Sequence, residues 1–200
     1  MRAIKPVAFL LCLVPAAALV ERTLTGTLGA NPAETLQLQT GLWALRLLLV
    51  TLAITPIRRL TGWNRIVQYR RMLGLFAFFY ATLHVLTYVV LDQLFAFDQM
   101  LKDVAKRPFI TFGAVAFAAM IPLAITSTKG WIRRLGRKWQ ALHRLIYVSG
   151  AAAAVHFIWK VKVAVGEPVY YGAILAVLLC VRLWLRARKQ RATARATATA

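Results

Sequence analysis

Met72-Leu73-Gly74-Leu75-Phe76-Ala77-Phe78-Phe79-Tyr80-Ala81-Thr82-Leu83-His84-Val85-Leu86-Thr87-Tyr88-Val89-Val90-Leu91 is a run of twenty residues without a fixed charge, closed by Arg70-Arg71 on one side and Asp92 on the other. A helix rises 1.5 Å per residue, so this run covers about 30 Å, the thickness of a bilayer's hydrocarbon core. Five similar runs occur, giving residues 6–20, 42–57, 72–91, 109–126, 140–159 and 169–185. Only helices satisfy their own backbone in lipid without closing a barrel. The expected fold is therefore an all-α, polytopic membrane bundle of about six transmembrane helices. The second run is slightly short unless Thr40 and Gly41 belong to it.

The first run is the weakest. Arg2 and Lys5, an apolar stretch and then Ala16-Ala17-Ala18 also match a secretory signal peptide with a cleavage site. Retention and cleavage both stay open, and the order of the later spans is the same in either case.

Charge sets the orientation. The chain carries 26 Lys and Arg against 6 Asp and Glu, a balance that in a soluble protein would suggest nucleic acid. Here the cations sit at the ends of apolar runs, so membrane orientation explains them and a nucleic-acid partner is not expected. Arg58, Arg59, Arg65, Arg70 and Arg71 lie between spans two and three, and Lys129, Arg133, Arg134, Arg137 and Lys138 between spans four and five. Arg186, Arg188, Lys189, Arg191 and Arg195 follow the sixth span. All six acids (Glu21, Glu34, Asp92, Asp98, Asp103 and Glu167) fall in the other three connections. The positive-inside rule places the basic loops and both termini in the cytoplasm. Trp43, Trp159 and Trp184 near span ends suit the headgroup zone, and Trp63, Trp131 and Trp139 lie in or beside basic loops. Residues 188–200, rich in Ala, Thr and Arg, have no apolar face and are predicted to be a disordered basic cytoplasmic tail. No internal repeat is visible in the sequence. Cys12 and Cys180 lie in the first and last runs and read as small packing residues rather than a disulfide.

All three histidines fall inside predicted spans: His84 in the third, His143 and His156 in the fifth. An ionisable group in a membrane is costly and usually marks function, although a neutral histidine can also bond two helices together. His143 and His156 are 13 residues apart, about 20 Å along one helix, so they cannot share one ion. Zinc wants three or four ligands. A haem iron wants one or two axial ligands, which two helices of a bundle can provide at matching depth. His84 lies 13 residues beyond Arg71 and His156 lies 17 beyond Trp139, both in the outer half of the membrane. His143 is only four residues beyond Trp139, near the cytoplasmic face. The expected pair is His84 with His156. Gly74, Ala77 and Ala81 share a face with His84, as Ser149, Ala152 and Ala153 do with His156. Such small residues admit either a flat macrocycle or a close helix neighbour.

Arg70-Arg71-Met72-Leu73-Gly74-Leu75 with His84, and Trp139-Gln140-x-Leu142-His143-Arg144-Leu145-x-Tyr147 with His156, resemble signatures of the MsrQ family, formerly YedZ. These are ferric-reductase-like transmembrane proteins. The likeness covers about residues 40–187. It implies that residues 1–187 form one haem-binding transmembrane domain in a bacterial inner membrane, with b-type haem (one, or two) and FMN. It implies electrons from the quinone pool or a cytoplasmic flavin reductase, and a periplasmic molybdopterin partner, MsrP, that reduces methionine sulfoxide. On that reading the chain is an electron-transfer subunit rather than the catalytic one. His84, His143 and His156 match the family's histidines, with His84 and His156 as the iron pair and His143 as a possible second iron ligand or a flavin or quinone contact. The related NADPH oxidases have a second histidine where this chain has Arg70 and Arg71, so His143 lacks a histidine partner. Rival readings are a carrier for another periplasmic or metal-reducing acceptor, a transporter or channel, and a cofactor-free scaffold. For a transporter, Arg46 is the main charged candidate within a span, and Pro15 and Pro122 are the mid-span prolines. The basic loops could also meet lipid headgroups, or an FMN phosphate through Arg58, Arg59, Arg70, Arg71, Arg133, Arg134 and Arg137.

Overall fold

The computed structural model describes residues 4–161 and 166–198; Arg2 and the last two residues of the tail lie outside them. Among the described residues every long element is a helix. Six of the segments, Lys5–Leu24, Pro32–Thr61, Asn64–Asp92, Pro108–Ile125, Arg137–Val161 and Glu167–Ala192, are long and apolar enough to cross a membrane. They occur in the expected order, and the protein is a multi-pass membrane protein.

The helices are α1 (Ile4–Leu24), α2 (Pro32–Thr61), α3 (Arg70–Thr87), α4 (Phe97–Lys106), α5 (Pro108–Ile125), α6 (Lys129–Leu135), α7 (Arg137–Leu142), α8 (Leu145–Val161) and α9 (Glu167–Ala198). The second span begins at Pro32, well before the apolar run itself. Its start is chemically marked: the Asn31 side chain accepts from the Glu34 N–H at 3.2 Å and donates to the Glu34 carboxylate at 3.1 Å, with Pro32 in the first turn. Gly62 ends it in the left-handed region, φ 72°, returning its N–H to the Arg58 carbonyl.

Helix α2 is the centre of the bundle. Of its most apolar stretch 56% is buried, against 11–22% for the other spans. It pairs with α3, while α5 pairs with α8, and α9 packs on α8 and α2. One core cluster joins α1, α2, α3 and α5 through Cys12, Leu47, Leu48, Phe76, Ala77, Tyr80 and Met120. A second joins α2, α8 and α9 through Leu45, Leu49, Leu52, Ala154 and Leu175. Both cysteines are free.

Helix α1 is a packed member of the bundle. The fully buried Tyr80 hydroxyl donates to the Cys12 carbonyl at 2.7 Å and accepts from the Ala16 N–H at 3.0 Å. Those two groups would bond each other in an unbroken helix, and the adjacent Pro15 already lacks an N–H. The hydroxyl fills the opening in the ladder.

At the acid-bearing end, α3 runs into a π-helical turn over Tyr88–Asp92. Buried Asp103 on α4 accepts from the Tyr88 hydroxyl and the Gln99 amide, both at 3.1 Å, and pairs with Arg107 at 3.3 Å. These contacts hold α4 across the end of α3. Helix α9 runs without interruption past the expected 187/188 boundary to Ala198. Residues 188–198 are thus helical where the sequence suggests disorder, and their repeated alanines carry the helical preference.

Tyr80→Phe keeps the ring and removes both bonds to α1. The expected loss is about 1–2 kcal/mol. Thermal unfolding in detergent should show a melting point a few degrees lower, at about 2–4 °C per kcal/mol for a chain of this size. An unchanged melting point would mean that α1 is held by apolar contacts alone.

Candidate functional site

Helices α3 and α8 bring His84 and His156 together, with ring centres 6.1 Å apart and ring planes nearly perpendicular at 78°. Each imidazole is fixed from behind. His84 Nδ1–H donates to the Gln37 carbonyl of α2 at 2.8 Å, and His156 Nδ1–H donates to the Phe109 carbonyl of α5 at 2.7 Å. A carbonyl only accepts, so both rings carry their proton on Nδ1 and keep the Nε2 lone pair free. Two imidazoles on opposite sides of one metal, each nitrogen about 2 Å from it and roughly 1 Å from its ring centre, have centres about 6 Å apart. The observed separation therefore suits a metal that needs two protein ligands. Among the described residues there is no group of three or more His, Cys, Asp or Glu that could hold an ion by itself. Haem iron, four of whose ligands come from the porphyrin, meets this condition.

The two histidines are held alike. Each is 47 residues beyond its carbonyl partner. Each carbonyl is followed, one helical turn on, by a glycine: Gly41 in α2 and Gly113 in α5. The helix pairs α2–α3 and α5–α8 are thus two versions of one arrangement, a repeat that residue-by-residue reading of the sequence does not expose.

His143 lies apart from the pair, where α7 breaks before α8. The Trp139 carbonyl accepts from both the backbone N–H and Nδ1 of His143, at 3.0 and 3.1 Å. That competition interrupts the helical ladder, and Arg144 and Tyr147 continue with tighter three-residue bonds. The imidazole stacks on Trp139 with centres 3.7 Å apart, and its buried Nε2 makes no hydrogen bond. Trp139 is itself held to the end of α5 by its indole N–H, which donates to the Thr126 carbonyl at 2.9 Å.

His143 borders a cavity of about 470 Å³ at the arginine-rich end. Arg58, Arg59, Arg70, Arg144, Arg182 and Arg186 line it, with Gln140 and Tyr147. No acid lies among the lining residues, and no second histidine, cysteine or methionine. Arg71, Arg133, Arg134 and Arg137, taken from the loops as possible phosphate contacts, are not part of this wall. Arg182 was not signalled by the loops at all, because it sits inside the sixth apolar run. It donates to the Tyr147 hydroxyl and, at 2.7 Å, to the Leu52 carbonyl. Arg46, the charged group that the sequence does single out within a span, faces elsewhere: it donates to the Tyr171 hydroxyl at 2.7 Å and reaches Glu167 at 4.0 Å.

The small residues beside the histidines have mixed roles. A Cβ on Gly74 would meet Thr51 at an ordinary 3.6 Å, Ala77 belongs to the core, and buried Ser149 donates to the Ala116 carbonyl at 3.0 Å. These three pack helix on helix. The glycines that touch the imidazoles are on the opposite helices. Equal Gly-to-His spacing, Gly41 to His84 and Gly113 to His156, is the signal in the sequence that locates them.

Residues 40–154 match the family model for the ferric reductase like transmembrane component. The protein-methionine-sulfoxide reductase heme-binding subunit MsrQ of Xanthomonas campestris pv. campestris (strain 8004) is 52% identical over 171 residues, covering 86% of this chain and 78% of that one. The subunit of the same name from Herminiimonas arsenicoxydans is 50% identical over 197 residues, covering 96% and 90%. That from Xanthomonas axonopodis pv. citri (strain 306) is 52% identical over 168 residues, covering 84% and 77%. No solved structure matches the chain. With half its residues shared across nearly the whole length of such relatives, and with the transmembrane family model spanning α2 to α8, the chain belongs to the MsrQ family of ferric-reductase-like membrane proteins.

Proposed function

We propose that the protein is a membrane b-type cytochrome that supplies electrons to a methionine sulfoxide reductase. Its arginine-rich end faces the cytoplasm of a bacterium, where it accepts electrons from the quinone pool or a flavin reductase. Its acid-bearing end faces the periplasm and the molybdopterin partner MsrP, which forms a heterodimer with it and repairs oxidised proteins. The partner carries out the catalysis.

The observation that carries this reading is the histidine pair, at 6.1 Å with both Nδ1 atoms tied back to backbone carbonyls. His84 and His156 are the residues that would hold one haem between them. A haem held there supplies reversible one-electron chemistry. The Gln37 and Phe109 carbonyls keep the ligating tautomer and make the imidazoles better donors. The relatives named as heme-binding subunits support the same assignment. The confinement of all six acids to one end and of most of the cations to the other supports the orientation.

FMN follows from the family resemblance, and the arginine-lined cavity supports a place for it. Its volume is in the range of small-molecule sites. Arginine forks bind phosphate oxygens with paired charge-assisted hydrogen bonds. Trp139, with His143 stacked on it, and Tyr147 offer aromatic surface. His143 is assigned to this cavity rather than to a second iron, because the lining holds no second histidine, cysteine or methionine.

His84→Ala and His156→Ala should each lose the bis-histidine haem spectrum, while His143→Ala keeps it. Full retention in both of the first two variants would sink the ligand assignment. For the flavin, Arg58→Gln and Arg70→Gln should each weaken retention about tenfold or more, from a charge-assisted bond of roughly 1.5–3 kcal/mol. Inorganic phosphate should compete. Flavin content that ignores both variants and phosphate would remove FMN from this cavity.

A further inference from the structure

We propose that Gly41 and Gly113 are positioning residues for the axial histidines, an inference that rests on the haem reading above. In a helix the Cα–Cβ bond tilts toward the N-terminus, so a side chain covers the turn before its own residue. The side chain at position 41 would lie over the Gln37 carbonyl, and that at 113 over the Phe109 carbonyl. Those are the two carbonyls that the imidazoles use. A carbonyl oxygen has two lone pairs and can serve a second donor besides its helix partner, provided that nothing covers it. Glycine leaves it open.

The clearances are tight and alike. A Cβ on Gly41 would stand 3.0 Å from both Cε1 and Nδ1 of His84. One on Gly113 would stand 2.8 Å from Nδ1 and 3.1 Å from Cε1 of His156. The atoms in the way belong to rings already fixed by hydrogen bonds of 2.8 and 2.7 Å, not to the free ends of flexible chains. Other helical glycines differ: Gly74 and Gly150 would meet neighbouring side chains at 3.6 and 3.4 Å, which is ordinary contact, and the atom 3.2 Å from a Cβ on Gly172 is the free end of the Ile158 side chain. A methyl group at 41 or 113 pushes the imidazole off its carbonyl. The ring then loses its fixed tautomer and part of its donor strength. A weaker donor favours the oxidised iron less, so the midpoint potential rises.

Gly41→Ala and Gly113→Ala are compared with Gly74→Ala in the full-length purified protein, by haem retention, electron paramagnetic resonance and redox titration. Both positioning variants should release haem about ten- to a hundredfold more readily. Their remaining haem should show altered g values and a more positive midpoint potential, with Gly113→Ala the stronger; Gly74→Ala should match wild type. A merely structural role would lower yield without moving g values or potential. If Gly113→Ala does not accumulate, electron–nuclear double resonance on the wild-type protein decides: both axial imidazoles should carry an exchangeable, hydrogen-bonded Nδ1 proton, and lack of either overturns the inference. Unaltered spectra and potential in both glycine variants, with wild type holding haem, overturn it alone. A wild-type protein that holds no haem overturns the haem reading and this inference together.

Discussion

Two hydrogen bonds from imidazole nitrogen to backbone carbonyl organise this molecule: His84 to Gln37 and His156 to Phe109. Each crosses from one helix of a pair to the other, so each fixes the relative height and rotation of its helices. In lipid, where apolar packing has no water to escape from, polar links and close fit must do more of the work of association. The rest of the bundle is arranged about these two links. Helix α2 reaches both core clusters, α9 closes over α2 and α8, and α1 is attached at the side through Cys12 in the first cluster and through the Tyr80 hydroxyl. The same bonds that align the helices also occupy both Nδ1 atoms and set the two rings 6.1 Å apart. Assembly of the fold and placement of the histidine pair are therefore one event.

The second organising constraint is charge. Six arginines surround a single cavity without an acid among the residues that line it. At the edge of a low-dielectric slab such a cluster repels itself, and only part of its charge is offset by Tyr147 and the Leu52 carbonyl. An anion is the natural occupant. The break between α7 and α8 matters here, because it turns His143 and Trp139 into the cavity wall instead of leaving them on a continuous helix face.

Much of the architecture is legible in the sequence because the bilayer reduces the problem to run length and charge. The six spans, their order and the separation of His143 from the other two histidines follow from counting residues. What is not legible depends on contacts between helices far apart in the chain. Span two starts early because Asn31 and Glu34 cap it, a local signal outside the apolar run. Gly74, Ala77 and Ser149 lie on the histidine-bearing helices and were natural candidates for the space beside a macrocycle, yet they pack helix against helix. Gly41 and Gly113 do the fitting from across the interface, where a face-by-face reading of one helix does not look. Arg182 is hidden for the opposite reason: hydropathy averages over it, and its partners, Tyr147 and Leu52, come from two other helices.

The near-equivalence of the two hairpins has a consequence for direction. Because His84 and His156 are anchored by the same device, the pair itself is even-handed: the two backing bonds differ by 0.1 Å, at 2.8 and 2.7 Å. A symmetric centre has no built-in forward sense. Any vector along the membrane normal must come from what breaks the symmetry. The arginine-lined cavity lies at the end where His143 stands, and there the first hairpin has the pair Arg70 and Arg71 rather than a histidine. The two ends of the molecule thus differ far more than the two halves of its centre do.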